Sequence, residues 1–292
     1  MSHFFKTGAH ASIYAKFRPT APQALVDEVL KFLAVKEKKK NSSDGYCCVT
    51  RDSATAVEVL LSFLHPRNHY PSSSRANHHP VTPYTPPAGS CSNRLLVTHS
   101  THDIPSFLTR VSPAETISEK DESVQLVTVM QAVHWFDLDK FYKEVTRVLV
   151  PNGVLALCSY LIPKPVSKNQ ERMDSIIHNE IYKGLPDNYW NPVRDIVDNL
   201  YRDIRPAFED HVRIDCIEGR RVGTVADYVN YTKTWSAYQL YLKKCPAEAE
   251  ELTRKLTSIL MEDAGKVGED PEKTSLEVKT QFFMILARKP GP

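Results

Sequence analysis

Glycine is scarce in this chain, ten in 292 residues, against an average usage near ~7%. None stands between Gly45 and Gly89. A loop that brings backbone N–H groups against a phosphate or ribose needs glycine, because a Cβ would block the approach, so the first third holds no such loop. No apolar run reaches the roughly 18 residues of a membrane-crossing helix. The opening MSHFFKTGAH lacks the apolar core of a signal peptide, and the chain is expected in the cytoplasm. Neither sign of charge dominates: a net charge of +2 gives no electrostatic case for nucleic acid or an anionic membrane. The six cysteines show no paired spacing, which suits free thiols in a reducing compartment. At 41% hydrophobic and 25% charged residues, the composition is that of an ordinary globular protein.

What is present is concentrated between Asp121 and Tyr160, DESVQLVTVMQAVHWFDLDKFYKEVTRVLVPNGVLALCSY. Ser123 to Val129 is a short apolar run of the kind a parallel strand buried on both faces needs. Leu138, Phe141, Val145, Val148 and Leu149 then recur on one face of an amphipathic helix. Pro151-Asn152-Gly153 is expected to stop that helix, since proline cannot continue the hydrogen-bond ladder and Asn-Gly tolerates positive φ. Val154 to Leu157 begins a second buried strand. Strand, crossover helix and parallel strand form a right-handed βαβ unit, and the fold class is α/β.

The segment from Ser123 to Tyr160 resembles the second half of the Rossmann-like domain of class I S-adenosylmethionine-dependent methyltransferases. It is most similar to the small-molecule enzymes of the type 11 and trans-aconitate methyltransferase-like kind. The likeness includes Tyr14-Ala-Lys-Phe-Arg-Pro19, Ser112-Pro113-Ala114-Glu115 and Phe282-Phe-Met-Ile-Leu-Ala-Arg-Lys-Pro290, and covers roughly three quarters of the chain. It implies a Rossmann-like methyltransferase sheet with a helical cap insertion. Residues 1–160 would hold an N-terminal arm and the core, 161–210 the cap, and 211–292 the end of the sheet with an aromatic helical insertion.

Where that family places a strand, a DxGxGxG loop and a helix, this chain reads differently. Family-like text breaks after Lys40 and resumes at Ser112, as abruptly as across an altered exon or reading frame. Ala54, Val57, Leu61 and Leu64 have helical spacing over Asp52–Leu64, and Pro66 stops it. Six prolines between Pro66 and Pro87 read as a flexible loop. Leu95 to Val97 is at best one short strand. The first strands are therefore expected to be degraded or remodelled, with 45–110 atypical and partly disordered. Six of the eleven histidines fall in this stretch (His65, His69, His78, His79, His99, His102). No zinc site is expected, because Pro66 breaks the His65–His69 helix and neither CxxC nor HExxH is present.

The resemblance also implies site residues. Tyr14 and Arg18 would close over the cofactor, Glu115 would lie near its adenine, and Gln131 and Ala132 would line its methionine end. His134 and Trp135 would form the reaction chamber, where a histidine can remove the nucleophile's proton. Trp190 from the cap and Tyr231, Trp235 and Gln239 from Thr224–Leu242 would face the substrate. Plainer readings stand beside these: a surface arm, a solvated Glu115, His134 and Trp135 as packing under the next helix, and an aromatic stripe that is core. The usual Leu-Pro after Ala-Glu is here Thr116-Ile117. The expected function is S-adenosylmethionine-dependent methyl transfer to a small molecule, impaired by the missing loop and with cofactor binding in doubt. The alternative is a catalytically inactive relative that binds or regulates. A small-molecule substrate is the partner expected, with no nucleic acid and no membrane.

Overall fold

A computed structural model describes residues 16–34, 45–50, 94–101, 104–186 and 189–292. Tyr14, the expected helix over 52–64, the proline-rich loop and His65, His69, His78, His79 and His102 lie outside the described residues. Helix α1 (Gln23–Ala34) buries Leu25, Val26, Val29 and Leu33, the face its spacing sets. Strands β1 (Gly45–Thr50), β2 (Arg94–Thr101) and β3 (Ile104–Pro113) follow. Strand β4 (Val124–Met130) is buried throughout. Helix α2 (Leu138–Val148) has Asp137 as its N-cap, whose side chain accepts from Lys140 N. It leads into β5 (Leu149–Tyr160), and a two-residue β6 (Lys164–Pro165) comes next. The rest is α3 (Gln170–Ser175) continued by a π-helical turn (Ile176–Tyr182), α4 (Arg194–Asp198), β7 (Asp210–Thr224), α5 (Val225–Lys233), α6 (Ser236–Lys244), α7 (Pro246–Asp263) and β8 (Ser275–Arg288).

All eight strands join one sheet in the order β3-β2-β1-β4-β5-β8-β6, with β7 also paired to β8. The β4-α2-β5 crossover is parallel, as its pattern requires, and β8 runs antiparallel to β5 as the last strand of the resembled family does. The alternation of side chains divides the core between the two faces. On one, Val127, Val129, Leu155 and Leu157 pack under Phe141, Val145 and Val148 of α2. On the other, Leu126, Ala156, Cys158 and Met284 pack under α1. A third cluster joins α3, its π-helical turn, α5, α6 and α7 into one aromatic core around Tyr182, Tyr228 and Trp235. Among the described residues no helix is long and apolar enough to cross a membrane.

Three expectations are corrected. Helix α2 ends at Val148, before Pro151-Asn152-Gly153, because β5 has already begun at Leu149. The triplet instead forms an irregularity in that strand: Leu149 pairs with Val124 and Val154 with Leu126, and Asn152 takes a left-handed φ of 66°. The spacing of Val193, Ile196, Val197, Leu200 and Ile204 predicts a helix through Ile204, but α4 stops at Asp198, and Leu200 and Tyr201 both adopt left-handed backbone, with φ of 56° and 57°. The short strand at Leu95–Val97 is eight residues long and lies between β1 and β3. Its β-branched and apolar residues suit a paired strand.

Two clusters of charge tie the layers together. Arg288, 2% exposed, binds Asp210 Oδ2 at 3.2 Å, the Asn152 carbonyl at 3.2 Å and the Phe32 carbonyl, with its guanidinium 4.5 Å from the Phe32 ring. One side chain thus links β8, β7, the β5 irregularity and α1. Arg147 on α2 donates to the Ile117 and Glu119 carbonyls and pairs with Glu144 and Asp121. Glu144 Oε1 in turn accepts from Ile117 N at 2.7 Å, which fixes the loop after β3. Ile117, where the family pattern departs, is 2% exposed and belongs to the core.

Replacing Arg288 by Ala removes a buried cation and leaves its acceptors unmatched. Unfolding free energy is expected to fall by about 3 kcal/mol, read from urea denaturation, and a change below about 1 kcal/mol would contradict the linking role. The Arg147 guanidinium, through its hydrogen bond, holds the Glu144 carboxyl below its ordinary value. A carboxyl depressed on folding adds stability above its unfolded pKa, about 4.3, and that stability is lost as pH falls through the folded value. Glu144→Gln is therefore expected to show a shallower acid loss than the wild type in urea midpoints measured from pH 7 down to pH 3. Parallel curves would rule the linkage out.

Candidate active site

The site begins where the β4 ladder runs out. Gln131 follows Met130, and its N–H still reaches the Cys158 carbonyl at 3.0 Å. Its backbone is left-handed, with φ of 52°, a conformation that costs a non-glycine residue about 1 kcal/mol. Its side chain offsets this by donating to the Tyr160 carbonyl at 2.7 Å. The chain therefore turns sharply at the carboxyl edge of the sheet, where open α/β sheets bind ligands. A 3₁₀ turn over Val133–Trp135 then presents His134 and Trp135.

A cavity of about 80 Å³ opens there, lined by Arg18, Gln131, His134, Trp135, Ile162, Trp190, Asn191, Val193, Arg194, Tyr231, Thr234, Trp235 and Ser236. Its aromatic wall interlocks: Trp190 and Trp235 have ring centroids 5.7 Å apart, and Tyr231 meets Trp235 edge-on at 5.8 Å. Trp190 Nε1 donates to the Tyr182 carbonyl. Trp235 Nε1, by contrast, is buried with no hydrogen-bond partner, although its residue is only 3% exposed and lines the cavity.

The charged groups on this wall are both cations. Arg18 donates from Nη2 to the Thr234 carbonyl at 3.1 Å, with its guanidinium 5.6 Å from the Tyr231 ring. Arg194 reaches the Tyr182 hydroxyl at 3.0 Å and Asp198 Oδ1 at 3.1 Å. Burial works against the Arg194 charge, but Tyr182 and Asp198 outweigh it and hold the pKa above its ordinary value. Burial likewise raises the Tyr182 hydroxyl, which donates to Asp198 Oδ2 at 2.6 Å. Behind the wall, the Tyr201 hydroxyl lies 2.9 Å from His134 Nδ1. Tyr201 is fully buried and packs edge-on against Phe283. Its left-handed backbone, with that of Leu200, is clamped by Arg213 of β7, which donates to the Leu200 and Tyr201 carbonyls at 2.7 and 2.9 Å.

Seven of the residues singled out in sequence thus meet on one cavity: Arg18, Gln131, His134, Trp135, Trp190, Tyr231 and Trp235. Three others sit elsewhere. Ala132 is sealed in the core, Glu115 Oε1 accepts from Asp137 N at 3.0 Å, and Gln239 donates to the Lys233 carbonyl at the end of α5. Sequence reasoning missed Arg194 and Tyr201. The one available signal was that Arg194 stands one helical turn before Asp198, the spacing of an ion pair. A larger cleft of about 110 Å³ lies over β7 and β8, lined by residues such as Phe17, Tyr228, Leu276 and Phe282. It shares Tyr231 with the smaller cavity, and its Arg220 is engaged with Glu218 and Glu277. The smaller cavity is the better candidate on its chemistry.

S-adenosylmethionine fits these residues only in part. Gln131 and Arg18, which the resemblance sets against its methionine end and over the cofactor, both line the cavity. On the ribose side the fit fails: β1 runs into Arg51-Asp52-Ser53 with no glycine. Strand β2 pairs antiparallel to β1, Tyr46 with Ser100 and Thr50 with Leu96. The carboxyl end of β2 therefore lies at the opposite edge of the sheet, and among its described residues, Arg94–Thr101, there is no acid. Strand β3, antiparallel to β2, returns to the ligand edge and delivers Ala114 and Glu115.

Comparison with known proteins agrees with this geometry. Residues 92–157 match the methyltransferase domain family of type 11. The match begins well before Ser112, so family-like text resumes earlier than the sequence alone suggested. A methyltransferase-family protein of Dictyostelium discoideum is 33% identical over 181 residues, 62% of this chain and 65% of that protein. An uncharacterized methyltransferase of Schizosaccharomyces pombe is 49% identical over 53 residues, 18% of this chain and 21% of that one. The chain thus spans less than two thirds of the length of these relatives. A type II methyltransferase structure from Anaeromyxobacter dehalogenans shares the fold, with a TM-score of 0.51 at 24% identity over 63% of this chain and 72% of that one. The chain is thus similar, over part of its length, to methyltransferases and shares their fold.

Proposed function

We propose that this chain is a methyltransferase acting on a small, negatively charged molecule, with a cofactor site weakened on its ribose side. The family's reaction is transfer of a methyl group from S-adenosylmethionine. The observation that carries the substrate reading is the makeup of the cavity wall. Arg18 and Arg194 supply two guanidiniums and Gln131 an amide, and no carboxylate lines the cavity among the described residues. The tryptophan and tyrosine rings shape a slot for a flat or unsaturated skeleton and exclude water, which strengthens every charge contact inside. His134 meets the reacting end of the ligand.

The weakened cofactor side follows from the missing glycine loop and the reversed β2. Each lost charge-assisted contact is worth about 1.5–3 kcal/mol, and tenfold in affinity is about 1.4 kcal/mol. Two or three such losses move a micromolar site beyond about 1 mM. Calorimetry on the purified chain is expected to show S-adenosylmethionine and S-adenosylhomocysteine binding no tighter than about 1 mM, while small di- or tricarboxylates bind with heat. Arg18→Met and Arg194→Met are each expected to weaken the anion about 10- to 100-fold. Micromolar cofactor binding would contradict the weakened site. A folded protein that takes the anion and no cofactor would be a binding relative without transfer activity, and one that takes no anion would overturn the substrate reading.

A further inference from the structure

The cleft over β7 and β8 has only Tyr231 in common with the candidate active site. Side chains alternate along a strand, so Gly219, Arg221 and Gly223 of β7 share a face with their β8 partners Thr280, Val278 and Leu276. That face is the floor of the cleft. Two glycines let groups at its ends lie flat on β7: a Cβ at Gly219 would fall 2.8 Å from the Phe282 ring, and one at Gly223 would fall 3.0 Å from Asp227 Oδ2. Glycine inside a strand marks such close approaches. One wall is Phe17, Pro19 and Pro22, and the other includes Tyr228 of α5. The Tyr228 hydroxyl already donates to the Pro163 carbonyl at 2.7 Å, so this wall is apolar too. The space between the walls is about 110 Å³.

Charge is divided unequally over this cleft. Arg220 alternates to the other face of β7, where it pairs with Glu218 and Glu277. Asp227 is turned to the start of α5, its Oδ2 accepting from Thr224 N at 2.9 Å within a capping box. Arg221 stands between the two glycines and is exposed. Among the described residues its side chain has no hydrogen bond, ion pair or ring contact. Lys16, with Nζ 5.0 Å from the Phe17 ring, adds a second positive charge beside the same wall. We propose that the cleft is a second ligand site, distinct from the cavity after β4, and that it takes a small amphipathic anion. The apolar part is an alkyl chain of about four to six carbons, since a dry cavity of about 150 Å³ takes one benzene ring. The anionic head sits against Arg221, whose aliphatic stem covers the floor while its guanidinium stays at the mouth. Binding here needs neither a cofactor nor a reaction, and it stands whether or not the smaller cavity is a substrate chamber.

Methyl correlation spectra of the full chain, with isoleucine, leucine and valine methyls labelled, test this without turnover. Leu276 and Val278 report the cleft, and Ile162 and Val193 report the smaller cavity. Hexanoate is expected to shift Leu276 and Val278. Its affinity is expected to rise about 3- to 4-fold per methylene from butanoate to hexanoate and to level off in longer chains, whose ends leave the cleft. Hexanol and hexylamine, of the same length, are expected to bind about fivefold more weakly, and Arg221→Gln to weaken hexanoate by about the same factor without changing hexanol. No shift at Leu276 and Val278, or shifts at Ile162 and Val193 alone, overturns the site. Hexanol binding as tightly as hexanoate overturns the anionic head group, even if Arg221→Gln does not fold. Shifts that follow protein concentration instead of hexanoate put a second copy of the chain in the cleft and likewise overturn the proposal.

Discussion

The dry parallel pairing of β4 with β5 is the constraint from which the rest follows. Both strands are covered on two faces, by α1 on one side and α2 on the other, so their backbone groups have no water to turn to and must pair with each other. That requirement persists for one residue past the end of β4. Gln131 spends a left-handed conformation to keep its N–H on Cys158 and its side chain on Tyr160. The turn that results carries Val133–Trp135 across the edge of the sheet. The position of His134 is thus a consequence of how a buried ladder is brought to an end.

A second constraint meets the first from the cap side. Trp190, Tyr231 and Trp235 belong to a helical core that includes Tyr182 and Tyr228. Arg194 is held on the cavity wall by its pair with Asp198 and by Tyr182. Arg213, reaching from β7, bends the chain at Leu200 and Tyr201. The cavity is therefore walled by groups whose own partners lie behind them, an arrangement that keeps polar atoms in place without a ligand. Trp235 Nε1 lies buried in this wall without a hydrogen-bond partner.

The elements legible in the sequence are those whose pattern has one structural solution. Phe141, Val145 and Val148 can share a face only in a helix, and the apolar run of β4 fits only a strand covered on both sides. The seven cavity residues were reachable because family-like text flanks them. Other features depend on partners far along the chain. Val193, Ile196, Val197, Leu200 and Ile204 satisfy helical spacing, yet the helix stops at Asp198, because the carbonyls of 200 and 201 are claimed by Arg213. Tyr201 was invisible for the same reason. The direction of β2 could not be read either: alternation states which faces are apolar and says nothing of whether a neighbour runs parallel.

The two halves of the ligand edge have different origins. The cavity is lined by the turn after β4, by Ile162 beyond β5 and by the helical cap, all from Gln131 onward apart from Arg18. The glycine loop and ribose acid of the resembled family would come instead from the ends of β1 and β2, where this chain has no glycine and a reversed strand. Among the described residues, the cap core draws on residues from 162 onward together with Phe17. Under the proposed function, a change in the first strands acts on the nucleoside side of the edge and not on the residues that line the cavity. An edge that retains one ligand site while another is remodelled makes occupancy of the two separable in free energy, and each can be measured without the other.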